Sequence, residues 1–191
     1  MSDDDEDCNH KNGDDYNITV KDNYIIFHGM LNDKSCFEII SSLDTVVKNI
    51  QKHDNYGEGN IMFHINSCGG NVYAALSVVE HMRRCRYPIT TICEGCVASA
   101  AVLISLAGTK RIIGKHSYMM IHEIRNISWG KFSELKDQMQ NNKKIMKDMK
   151  GYLRERTGDK LPKEQLDDLL KHDILWGHKK CLKYGLVDSV S

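Results

Sequence analysis

Between Ile61 and Leu106 the chain twice runs from a short apolar segment into a helix-like one, with glycines or small residues at each join. Ile61 to Asn66 has the composition of a strand. It leads through Ser67-Cys68-Gly69-Gly70 into a helix predicted from Val72 to about Arg84, with Val72, Ala75, Leu76, Val79 and Met82 on one face. Pro88 stops that helix and introduces a second strand, Ile89 to Cys93, rich in β-branched residues. Gly95 permits a sharp turn, and Ala98 to Ala107 is apolar almost all round, as an interior helix must be. This alternation argues for an α/β layered domain with βαβ crossovers. In such folds reactive groups collect at the carboxyl ends of strands, so Gly69-Gly70 and Ser99, which end successive strands, are expected to face one crevice.

The flanking elements fit the same architecture. Asn23 to His28 reads as a strand ending at Gly29, and Ser35 to Lys52 as a helix carrying Phe37, Ile40, Leu43, Val47 and Ile50. A polar link containing Gly57 and Gly59 follows. After Gly108, Arg111 to Ile113 and Tyr118 to Ile121 read as strands, the second closed by His122. The longest amphipathic helix runs from Lys131 to about Thr157, with Phe132, Leu135, Met139, Met146, Met149 and Leu153 on its apolar stripe. Pro162 opens a short helix to Lys171, a last helix spans about His178 to Tyr184, and Leu186 and Val187 read as strand.

Lysine plus arginine equals aspartate plus glutamate, 26 each among 191 residues, so no global basic field points to nucleic acid or an anionic membrane. The acidic run Asp3 to Asp7 marks residues 1–16 as a polar, self-repelling segment expected to be disordered, with a single domain over 17–191. No targeting signal or stretch long enough for a membrane span is visible. Seven scattered cysteines, an odd number, point to reduced thiols and a cytoplasmic location. Cys93-Glu-Gly-Cys96 has C-x-x-C spacing but no second ligand pair, so it reads as two structural thiols, with no metal and no cofactor expected. The glycine-rich segments do not match a P-loop, which excludes ATP hydrolysis by the chain itself.

Ser99 sits where a strand gives way to a helix, where unpaired N–H groups and the helix dipole favour a developing oxyanion. The same position suits an ordinary N-cap serine. Acyl transfer would further need a base, a group to orient it, and N–H donors. Gly70 can approach a substrate closely, and the Ala100 N–H follows the candidate nucleophile. Spacing does not select among nine histidines, although His122 at a strand end is better placed than His10 or His53. Asp173 reads locally as a loop carboxylate.

Ile65-Asn66-Ser67-Cys68-Gly69-Gly70, Gly95 to Ala101, Met119-Met120-Ile121-His122 and Tyr184-Gly185-Leu186-Val187-Asp188 together resemble ClpP, the proteolytic subunit of the Clp protease. The resemblance runs in order from about Tyr24 to the C-terminus. It implies Ser99 as nucleophile, His122 as base, Asp173 as orienting acid, and the Gly70 and Ala100 N–H groups as the oxyanion hole. It also implies a crotonase-like spiral of ββα units, with the helix from Lys131 as a protruding handle that joins two stacked seven-membered rings of the same chain. Substrates would be unfolded polypeptides, bound as an added strand beside the residues after His122 and delivered by a partner AAA+ ATPase.

The chain departs from the family pattern in three places. Cys68 replaces the usual proline before the two glycines, Glu123 and Ile124 replace glutamine and proline after the histidine, and the amino end lacks the pore-lining hairpin. Two alternatives therefore stand beside the serine endopeptidase: a catalytically weak structural subunit of a mixed ring, and a crotonase-type acyl-CoA enzyme, which shares the spiral fold and a two-amide oxyanion hole.

Overall fold

The computed structural model describes residues 16–53 and 59–191. The acidic start predicted as disordered lies outside the described residues, except that Tyr16 already belongs to a strand. That strand, β1 (Tyr16–Lys21), pairs antiparallel with β2 (Tyr24–Gly29) through a tight turn in which Asp22 takes φ 52°. Sequence reading missed β1 because its apolar residues alternate with polar ones inside a polar stretch, the pattern of an edge strand wet on one side.

Parallel crossovers follow. Helix α1 (Asp33–His53) begins two residues earlier than predicted, because Asn32 and Ser35 exchange side chain-to-backbone hydrogen bonds of 2.8 and 2.9 Å that tie down its first turn. It leads to β3 (Ile61–Ser67), parallel to β2. Helix α2 (Val72–Arg84) has the predicted bounds; the Asn71 side chain caps it by accepting from Tyr73 N and Ala74 N at 2.9 and 3.3 Å.

Strand β4 (Ile89–Ala98) runs five residues past its predicted end, and α3 (Ala100–Ala107) starts two residues later than predicted. Gly95 does not terminate the strand. With φ 64° it bends it, and the Asn66 side chain occupies the space a Cβ would need. The bend splits the sheet. Thr90–Cys93 pair with β5 (Lys110–Ile113), whereas Cys96–Ala98 pair with β6 (Tyr118–Met120). Both pairings are parallel, so one long strand carries two branches of a single sheet and delivers Ser99 at its end.

The sheet order is β1-β2-β3-β4-β5-β8, with β6 branching from β4 to β7 (Trp176–Gly177). β8 is Ser189–Val190, paired with β5. The apolar pair Leu186 and Val187, predicted as strand, is instead a buried turn whose N–H groups both donate to Cys181 O. Burial rather than extension explains its composition. The mixed α/β spiral matches the predicted fold class, and Phe63, Ile65, Leu103, Ile104 and Leu106 lie at the centre of its core. Each such side chain contributes about 1.5–3 kcal/mol on burial.

Helix α4 (Phe132–Thr157) is the predicted handle. Its buried residues, Met149, Leu153 and Thr157, lie at its C-terminal end. There Arg156 donates to Leu106 O and Gly108 O at 2.6 and 2.7 Å, and Tyr152 Oη to Leu103 O at 3.2 Å. The two Arg156 bonds satisfy carbonyls left open at the end of α3, so the handle grips the helix that begins at Ser99. Phe132, Leu135 and Met139, at the other end, remain exposed. Helices α5 (Lys163–Leu169) and α6 (His178–Lys183) complete the domain within their predicted ranges.

Candidate active site

The strand-to-helix join is strained. Ser99 has φ 53° and ψ −127°, a conformation unfavourable for a residue with a Cβ by about 1–3 kcal/mol. Its N–H donates to Met120 O at 2.8 Å, which fixes it against β6. Its side chain makes no capping bond to α3, so the ordinary N-cap role does not account for it. The hydroxyl is left for another partner on a half-buried residue above a fully apolar helix.

The glycine pair packs directly against this elbow. At Gly69, with φ 97°, a Cβ would lie 2.7 Å from Ala98 O, 2.7 Å from Ser99 Cβ and 3.0 Å from Ala100 N. At Gly70, with φ 143°, it would overlap Leu31 O. Leu31 makes both bonds of an isolated parallel bridge here, donating to Gly69 O and accepting from Asn71 N, each at 2.8 Å. The bridge therefore leaves the Gly70 N–H outside it. The Ala100 N–H belongs to the first turn of α3, where helix geometry supplies no acceptor. Two backbone donors thus border the cleft beside Ser99.

Ser99, His122, Gly70 and Ala100 line one cleft of about 770 Å³, roofed by α4 residues such as Gln138, Asn142 and Met149. His122 is half-buried, two residues beyond β6, and its Nδ1 lies 2.6 Å from the carbonyl of Glu123. A carbonyl only accepts, so Nδ1 carries the proton and Nε2 is the free basic nitrogen. The next residue is anchored: Glu123 N donates to Leu170 O at 2.8 Å, which ties the histidine segment to the end of α5.

Asp173 follows that end and is exposed. Its carboxylate pairs with Arg125, three residues after His122, and not with the His122 ring. No hydrogen bond joins Ser99 to His122 among the described residues. The fold thus gathers four of the five predicted site residues in one cleft and holds the fifth beside it on a competing cation.

Sequence reasoning missed two contributors and the reason for a third. Arg125 gave no motif. Met120 acts through its backbone carbonyl, which side-chain identity does not report. Gly69 was legible as half of a glycine pair, but the need for it arises from contact with Ser99, thirty positions away.

Electrostatics set three buried thiols apart from chemistry. Burial, the largest cause, pushes the Cys93 thiol up to about 11, and Ser105 Oγ lies 3.0 Å from its sulfur. Burial likewise pushes Cys181 to about 12 and Cys36 to about 11. Among the described residues no group of three or more His, Cys, Asp and Glu side chains is gathered as a metal site, and no helix is long and apolar enough to cross a membrane.

Comparison with known proteins adds an independent line. A family model described as Clp protease matches residues 7–191. The chain is 32% identical over 160 residues to the ATP-dependent Clp protease proteolytic subunit of Chlorella vulgaris, which covers 82% of this chain and 79% of that protein. It is also 32% identical over 135 residues to proteolytic subunit 2 of Synechococcus sp. (strain CC9605) and of Parasynechococcus marenigrum (strain WH8102), covering 70% of this chain and 68% of each of theirs.

Proposed function

Because this chain belongs to the Clp protease family and is a serine-type peptidase subunit, we propose that it cleaves polypeptides by acyl transfer to Ser99, with His122 as base and Asp173 as its orienting acid. The observation that carries this reading is the strained, uncapped Ser99 in one cleft with His122, Gly70 and Ala100. Ser99 Oγ attacks the scissile carbonyl and its proton passes to His122 Nε2. The Gly70 and Ala100 N–H groups hold the oxyanion, and His122 then returns the proton to the leaving amine. Water repeats the cycle on the acyl-enzyme and releases the second product.

The orienting step requires rearrangement. Asp173 must leave Arg125, and His122 Nδ1 must exchange Glu123 O for the carboxylate. Assembly supplies the occasion. The exposed Phe132, Leu135 and Met139 of α4 belong in a contact between copies, in two stacked seven-membered rings whose α4 helices line both the seam and the cleft roof. A AAA+ ATPase would feed unfolded polypeptide to the enclosed sites.

The Arg125–Asp173 pair favours a second reading, a structural subunit whose own triad stays open within a mixed ring. The acyl-CoA alternative gains nothing, since the matching family model is that of a protease. Peptide hydrolysis by assembled wild type and Ser99→Ala decides between the first two. Loss of turnover in the variant supports the peptidase, full turnover in the variant sinks Ser99 as nucleophile, and none in either favours the structural subunit.

A further inference from the structure

The C-x-x-C spacing pairs Cys96 with Cys93 in sequence, but the fold pairs it elsewhere. Cys93 is buried against Ser105, whereas Cys96 is half-buried and Cys68, at the entry to Gly69-Gly70, is exposed. Strands β3 and β4 are parallel with Ser67 opposite Val97, and Cys96 N donates to Asn66 Oδ1 at 3.3 Å. Continued by one residue, that register sets Cys68 opposite Ala98 and diagonal to Cys96 on the same face of the sheet. The thiols sense each other. Burial first, then the charge and hydrogen bonding of Cys68, push the Cys96 thiol above its ordinary value.

We propose that Cys68 and Cys96 are a redox pair that closes to a disulfide by exchange with a small-molecule disulfide, shifting the glycine turn relative to Ser99. The Cys68 thiolate attacks one sulfur of oxidised glutathione, forms a mixed disulfide and expels one glutathione. The Cys96 thiolate then attacks the Cys68 sulfur and expels the second. Two protein thiols are oxidised to one disulfide, one glutathione disulfide is reduced to two thiols, and the two protons pass to the released glutathiones. Cys96, with its raised pKa, is the resolving thiol.

Closure moves backbone. A hydrogen bond joins the two thiols, and a disulfide shortens that contact to an S–S bond of about 2.05 Å. The Cys68 end of β3 must therefore draw toward β4. Gly69, next in the chain, lies against Ala98 O, Ser99 Cβ and Ala100 N so closely that not even a Cβ would fit between them. Closing the disulfide thus displaces the Gly70 donor. This effect on activity rests on Ser99 being the nucleophile; the disulfide itself does not.

The test exposes the full chain to oxidised glutathione, alkylates the remaining thiols, and maps tryptic peptides without reduction. A link between peptides 53–83 and 87–110 is expected, with fragmentation assigning it to Cys68 and Cys96 and dithiothreitol reversing it. Cys96→Ser should instead retain glutathione on Cys68. In the linked wild type, fluorophosphonate labelling of Ser99 should fall several-fold and return on reduction. Glutathione persisting on wild-type Cys68, or a link to Cys93, would overturn the pair, and undiminished labelling of fully linked protein would overturn its control of the site. A link that forms while Ser99 labels in neither redox state would instead overturn the nucleophile reading and leave the thiol pair standing.

Discussion

The Ser99 elbow and the segment bearing His122, Arg125 and Asp173 face each other but are built on opposite principles. The elbow is overdetermined. Ser99 N is bonded to Met120 O, Gly69 packs against Ala98, Ser99 and Ala100, and the helix beneath is buried from Ala100 to Leu106 and gripped at its far end by Arg156. His122 and Asp173 lie on chain with no regular structure, tied by Glu123 N to Leu170 O and by an exposed ion pair. On the proposed reading, the nucleophile and oxyanion donors are fixed by a single chain, and the proton-transfer partners are set by neighbouring copies. Strain persists only where the surroundings over-specify it, which is why it sits at Ser99 and not at His122.

That contrast can be broken most severely at the elbow itself. Ser99→Ala should lower peptide turnover of the assembled protein on the order of 10⁶-fold while leaving the melting temperature unchanged or raised, since it removes only a hydroxyl that makes no capping bond. Gly69→Ala should cost both activity and stability. A Cβ there meets backbone atoms at 2.7–3.0 Å, and we expect a loss of roughly 10²-fold in kcat/KM together with a lower melting temperature, read by peptide hydrolysis and thermal unfolding. A fully active Gly69→Ala would mean that the elbow is not as tightly packed as argued.

The other region should respond mildly and in the opposite direction. Arg125→Ala frees Asp173 at the cost of one exposed ion pair, worth about 0–1 kcal/mol, so activity should rise by up to about fivefold without a measurable change in stability. A large loss of activity would show that Arg125 holds Asp173 in place rather than away. The smallest effect concerns pH and the frame around both regions. Burial pushes the Asp188 carboxyl up, but hydrogen bonds and charge from Arg111 outweigh it and hold the carboxyl below its usual range. Its stabilisation is therefore present above the ordinary aspartate pKa and is lost as pH falls through the lowered value. Asp188→Asn should flatten the acid limb of the stability profile, measured by urea unfolding between about pH 2 and 5.

Legibility followed the same division. The α2 bounds, the long amphipathic helix from Lys131 and the alternation that puts Gly69-Gly70 and Ser99 on one crevice were readable because local propensity and tertiary role agree there, whereas the handle role came from resemblance. Gly95 misled because a glycine in a bulge and a glycine in a turn look alike in sequence, and only the Asn66 side chain filling its Cβ space tells them apart. Leu186 and Val187 misled because burial and strand demand the same side chains. At the site, Ser99 and Gly70 carried local signals, whereas His122 and Asp173 were singled out only by resemblance. The Asp173–Arg125 pairing had no signature, since a loop ion pair is fixed by three-dimensional proximity alone.

The central claim is that the nucleophile and its donors are built in the chain while the base and acid are completed by assembly. Fluorophosphonate labelling of wild type, separated into ring and monomer fractions by size-exclusion chromatography and mapped by mass spectrometry, tests it directly. Rapid labelling at Ser99 in the ring, at least tenfold faster than in the monomer, is the predicted result. Equal rates in the two fractions, or no adduct on Ser99 in assembled rings, would contradict the account.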